Sequence, residues 1–227
     1  MAYPTVDKPY GLKPVNLIGG LPFAGATRKI PIASGYATGI FCGDVVQYKN
    51  DGTLIITTLQ NDTSVVPGVV GVFLGCSYTD PNLNYLVHSQ DYPASTTASD
   101  IEAYICDDPN ALFRVVNCAG STADGAATGL TPAFVARGSA LACNAELVLN
   151  TGLTTTGNSR MGVYINNVAT ILPMTVVDVV PDKPDNKAAF NTFQARLCPG
   201  SGTNNSRKSR FYRLLQNQIR FAVAYAG

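Results

Sequence analysis

The chain has no tryptophan, a single histidine, and charge on only 14% of its 227 residues. Each shortage excludes something. A Ser-His-Asp or Cys-His device would have to use His88, which sits in LVHSQDY with no G-x-S-x-G elbow near it. His88 therefore reads as a half-exposed strand or loop residue. The six cysteines, at 42, 76, 106, 118, 143 and 198, form no C-x-x-C pair, so the close ligand pairs of a zinc site are missing. Most lie in apolar strand-like contexts such as IFCGDVV and AYICDD, which predicts reduced, buried thiols in a protein made in the cytosol. No apolar run reaches the ~18 residues that cross a bilayer, so no membrane partner is expected. The opening MAYPTVDKPYGLKP places Pro and Asp where a signal peptide needs an unbroken apolar stretch, so secretion by that route is not expected.

Other chemistry is missing too. There is no G-x-x-x-x-G-K-[ST] and no G-x-G-x-x-G between a strand and a helix. Asp107 and Asp108 are adjacent, so on a strand they would point to opposite faces, and CDDPN reads as a turn. Asp178, Asp182 and Asp185 lie among prolines and lysines without the glycine hinge of a calcium loop. The expectation is a protein that is not an enzyme, with no catalytic residues, no cofactor and no metal.

What is present points to strands and turns. Hydrophobic residues make up 46% of the chain, enough for a core, and Gly 21 and Pro 14 punctuate it. Two runs of strand formers flank Asn50-Asp51-Gly52, a hairpin signal because such a turn needs positive φ. GVVGVFLGCSYTD, YLVHSQDY, IEAYICDD, ALFRVVNC, ALACNAELVL, MGVYINN, ILPMTVVDVV and FQARLC follow as strand-length runs, with turns rather than helices between them. Pro173 argues for an edge or a bulge at the start of ILPMTVVDVV. The predicted class is all-β: a compact barrel or sandwich body over residues 36–198. Residues 1–35 read as an extended N-terminal arm. Residues 199–227 read as a flexible stretch and a basic C-terminal extension, where Phe211, Leu214, Leu215 and Ile219 approximate one helical face. Basic residues at its start oppose the helix dipole, and strand is the alternative for IRFAVAYAG.

The charge is unevenly spread. Residues 1–40 carry a net +3, residues 41–206 carry −7, and residues 207–227 carry +5, against a total of +1. An acidic body thus has basic ends. The ends can fold back on that body or dock on an acidic protein surface, and the two are compatible. Nucleic acid is not an expected partner, because five charges without an interleaved recognition motif are a weak footprint. The apolar content of the arm is too large to leave in water, so it should lie on this fold or on a neighbouring subunit.

The order of segments resembles a known family. Pro9-Tyr10-Gly11-Leu12-Lys13-Pro14, Gly19-Gly20, Ile32-Ala33-Ser34-Gly35-Tyr36-Ala37, Ile40-Phe41 and Gly43-Asp44 come first. Gly71 to Asp80, Tyr92-Pro93-Ala94, Ala103-Tyr104 to Asn110, Thr155-Thr156-Gly157 and Asp182 to Asn186 follow in the same order. This succession is similar to small virion proteins of tailed phages from marine and aquatic bacteria, and it covers about residues 9–197. The resemblance implies a capsid decoration or cement-type protein with a β-barrel body, made and assembled in the host cytoplasm and placed on the capsid surface. Its partners would be the major capsid protein and further copies of itself, as a dimer or trimer. The expected contacts are Tyr10, Leu12, Lys13, Leu17, Phe23, Arg28 and Lys29 in the arm, and Arg207, Arg210, Phe211, Arg213 and Leu214 in the extension. A neck or tail protein, or a carbohydrate-binding β-module for host attachment, is the alternative.

Overall fold

The computed structural model describes residues 9–17, 20–58, 69–116, 144–165, 174–179 and 192–197, and these form strands and turns without a helix. The chain is all-β. Strands β1 (Lys13–Leu17), β8 (Ala111–Val116), β12 (Thr192–Leu197), β11 (Met174–Val179), β9 (Asn144–Val148) and β10 (Gly162–Ile165) make one sheet in that order. The second sheet runs β2 (Arg28–Pro31), β7 (Glu102–Cys106), β5 (Val69–Thr79), β3 (Val45–Tyr48) and β4 (Leu54–Ile56). Strand β6 (Leu86–Ser89) pairs with the far end of β5. All the strand pairs are antiparallel, and among the described residues neither sheet closes into a barrel.

The centre of the second sheet, along β3, β5 and β7, is buried on both faces. Val45, Val72 and Cys106 are aligned across β3, β5 and β7 and meet Phe113, Val115, Leu147, Val163 and Met174 of the first sheet. The next residues along, Val46, Phe73 and Ile105, point the other way, as the two-residue period of a strand requires. They pack beneath Ile32, Ile40, Tyr92, Ala98 and Ile101, which come from connecting segments. Two such segments are zipped together over the sheet: Ile40 and Tyr92 exchange backbone bonds of 3.2 and 2.7 Å, and Gly35 N–H donates to Thr96 O at 2.8 Å. The Tyr92 hydroxyl donates to Tyr36 O at 3.0 Å, which satisfies the polar end of a fully buried ring. Full burial of a side chain such as Phe73 or Ile105 contributes about 1.5–3 kcal/mol.

The hairpin read at Asn50-Asp51-Gly52 joins β3 to β4. Gly52 takes φ 84°, Lys49 N–H donates to Thr53 O at 2.8 Å, and Asp51 accepts from the Thr53 N–H and hydroxyl at 2.9 and 2.6 Å. Strand β11 begins one residue after Pro173, and its irregularity falls later, between Val176 and Asp178. The arm is where the structure departs from the division at residue 36. Residues 13–17 pair with β8 and residues 28–31 with β7, so the segment supplies an edge strand to each sheet. The cause is apolar: Leu12, Ile30 and Ile32 are buried, and Leu17 and Phe23 pack against the core. Residues 199–227, and with them the helix-or-strand question, lie outside the described residues.

The double burial leaves no slack between β5 and β7. A methyl group on Gly71 would run into the Cys106 carbonyl, a backbone atom that cannot swing aside. Gly71→Ala should therefore lower stability by about 1–3 kcal/mol, as overpacking does. Urea unfolding followed by circular dichroism measures this, and an unchanged midpoint would contradict the packing described.

Candidate functional site

The predicted contact residues are dispersed by the fold. Leu12 is fully buried, Leu17 and Phe23 are partly buried against the core, and Tyr10 is half-buried under Lys13, whose ammonium lies 4.9 Å from the ring centroid. Arg28 and Lys29 are neutralised within the chain. Arg28 Nε sits 3.0 Å from Asp107 and Lys29 Nζ 2.6 Å from Glu102, whose hydrogen bond and charge raise the lysine pKa. These two cations of the segment thus fold back on the acidic body. Arg207, Arg210, Phe211, Arg213 and Leu214 lie outside the described residues.

A different surface gathers apolar groups. The turn between β5 and β6 exposes Leu83, Tyr85 and Leu86, at 63%, 54% and 59%. It is held stiffly. Asp80 Oδ1 accepts from the N–H groups of Asn82 and Leu83 at 2.8 and 3.1 Å, while Asp80 N–H donates to Tyr85 O at 3.0 Å. Asn84 takes φ 53°, a left-handed conformation that asparagine tolerates well. Leu86 and His88 are two apart on β6 and share a face. The exposed His88 ring stacks on Tyr104 with centroids 6.5 Å apart, and Lys29 lies 5.5 Å over the other partner of that stack, the Tyr104 ring. The result is a strip with an apolar tip, an aromatic middle and the Lys29–Glu102 pair at its end. Composition gave Leu83 and Tyr85 no prominence. The signal was their position, bracketed by Asp80, Pro81, Asn82 and Asn84, because a turn has nowhere to bury them.

Comparison with protein-family models, curated proteins and solved structures gives no match. The function is read from the residues alone.

Other reactive groups are quiet or buried. Cys42, Cys76 and Cys106 are free thiols, and burial pushes Cys76 up to about 12 and Cys106 up to about 11, so neither is a nucleophile at neutral pH. Cys118, Cys143 and Cys198 lie outside the described residues. Asp108 accepts from Asn110 N–H at 2.8 Å, in the turn that its sequence signalled, and Asp107 holds Arg28.

Among the described residues, Asp44 is the exception among the acids. It is fully buried at the turn that opens β3, where its Oδ2 accepts from Phe41 N–H at 2.8 Å. Its Oδ1 is buried and has no hydrogen-bond partner. Burial raises its pKa to about 6, against the smaller opposing pulls of Ser159 and the Phe41 N–H. The folded chain therefore binds this proton more tightly than the unfolded chain. The Asp44 contribution to stability is complete below about pH 4 and is lost as pH rises through about 6, a difference of about 3 kcal/mol. Asp51 acts oppositely in a more acidic window, since its Thr53 hydrogen bonds lower its pKa to about 2. The chain should melt at a higher temperature at pH 5 than at pH 7.5. Asp44→Asn, which keeps the acceptor and removes the charge, should flatten that difference in a thermal scan. Equal pH slopes in the two proteins would contradict the assignment.

Proposed function

We propose that this chain is a structural protein of a tailed-phage particle that docks on the outer surface of the assembled capsid and reinforces the lattice. The observation that carries the reading is the rigid exposed tip, Leu83, Tyr85 and Leu86, continued by His88 and Tyr104 and bordered by Lys29 and Glu102. An apolar, aromatic centre with a charged rim is the anatomy of a protein–protein contact. The tip is already ordered, so docking loses little conformational entropy there. The resemblance of the motif order to small virion proteins is the ground for proposing the major capsid protein as partner. The two-sheet body fits a role in which stiffness matters more than chemistry.

The contact assignment moves accordingly. Arg28 is paired with Asp107, Leu12 is buried in the core, and Leu17 and Phe23 pack against it, so the strip replaces most of the N-terminal segment as the proposed docking surface. Lys29 stays at its border. The basic C-terminal residues Arg207, Arg210 and Arg213 remain proposed contacts with an acidic shell.

Co-sedimentation with capsids that lack this protein tests the reading. The double variant Leu83→Ser, Leu86→Ser should bind at least about tenfold more weakly, as loss of central apolar anchors does. It should also melt at or near the parent temperature, since both side chains are exposed. Arg28→Gln should leave binding within about twofold, because the exposed Arg28–Asp107 pair is not part of the strip and such pairs contribute little. Undiminished binding by the double variant would contradict the proposed surface.

A further inference from the structure

A cavity of about 450 Å³, sharing no lining residue with the docking strip, lies between the segments that follow β2, β4 and β9. Phe41 and Met161 line its apolar side, and Thr38, Asn150 and Thr151 add hydroxyl and amide groups. Arg160 also lines it. The Arg160 Nε is buried and has no hydrogen-bond partner, and no carboxylate of the described residues pairs with this guanidinium. The guanidinium brings up to five N–H donors to the cavity wall.

The backbone around Arg160 is fixed from several sides. Cys42 N–H donates to Gly157 O at 3.0 Å and Ser159 N–H donates to Cys42 O at 3.0 Å. Met161 N–H donates to the Ser159 hydroxyl at 2.9 Å, Gly11 N–H donates to Met161 O at 3.0 Å, and Val45 N–H meets Met161 Sδ at 3.3 Å. Gly11 has φ 78°, and a side chain there would strike Ser159. The cation is therefore held on a rigid wall rather than at the end of a loose loop, which is the preorganisation that a ligand site requires.

From these features we infer that the cavity binds a small monocarboxylate carrying a hydroxylated body, of the size and class of an acidic sugar. The carboxylate takes the Arg160 guanidinium, whose planar fork matches it. One cation suits a monoanion better than a phosphate dianion. Thr38, Asn150 and Thr151 face the hydroxyls, and the apolar side takes the ring. The volume lies within the range of small-molecule sites. This inference is independent of capsid docking, and neither depends on the other.

The test uses the full chain, with glucuronate, glucose, acetate and inorganic phosphate as probes. Binding is read from the Arg160 Nε–H resonance, assigned by its loss in Arg160→Lys. Glucuronate should move that resonance saturably, and glucose and acetate should do so at least about tenfold more weakly, since each lacks half of the recognised group. Arg160→Gln should weaken glucuronate binding by about tenfold or more, measured by calorimetry. Thr151→Val, an exposed site, should weaken it without lowering the melting temperature. No saturable movement with glucuronate, equal binding of glucose or acetate, or preference for phosphate would each overturn the inference.

Discussion

Burial of the centre of the second sheet on both faces is the constraint on which the rest depends. A strand covered on one side tolerates substitution on the other, but β5 has no free side along Val72 and Phe73. One row of side chains closes against the first sheet, and the next row must be covered by segments that are not strands. Long connections would ordinarily be the loosest parts of a β protein. Here they carry Ile40, Tyr92 and Ile101 into the core and are tied to each other by backbone bonds. Order in the connections is thus a condition of the fold.

That condition also explains how surface features become rigid. The segments around Gly11, Cys42 and Ser159 are laced together by backbone bonds, which fixes Phe41 and Met161 as the wall of the cavity and positions Arg160. Asp44 sits at the same junction. Its buried carboxyl is the electrostatic cost of holding the turn that begins β3, partly offset by the Phe41 N–H. At the other end of β5, where the second row of covering residues ends, the chain turns back through Asp80 and exposes Leu83, Tyr85 and Leu86. Both candidate surfaces are therefore extensions of one packed layer.

The strands were legible in the sequence because alternation and turn residues are local signals. The Asn50-Asp51-Gly52 hairpin, β5, β7 and β8 fall where their patterns put them. The sheets were not legible, since which strands become neighbours depends on contacts far apart in the chain. Nothing local says that β1 lies beside β8 or that β2 lies beside β7. The basic, apolar N-terminal segment read as an arm for the same reason: its partners, Asp107 and Glu102, are more than seventy residues away. Arg160 gave no sign of its position, because burial without a partner is a property of the tertiary structure. Only the tip had a local clue, apolar residues set inside a turn.

If the chain reinforces a lattice, its abundance in the particle must follow the lattice. Quantitative mass spectrometry of purified virions, comparing this chain with the major shell protein, measures that directly. The account predicts a copy number commensurate with the shell protein. A copy number that fits a single vertex, or absence from intact particles, would contradict it.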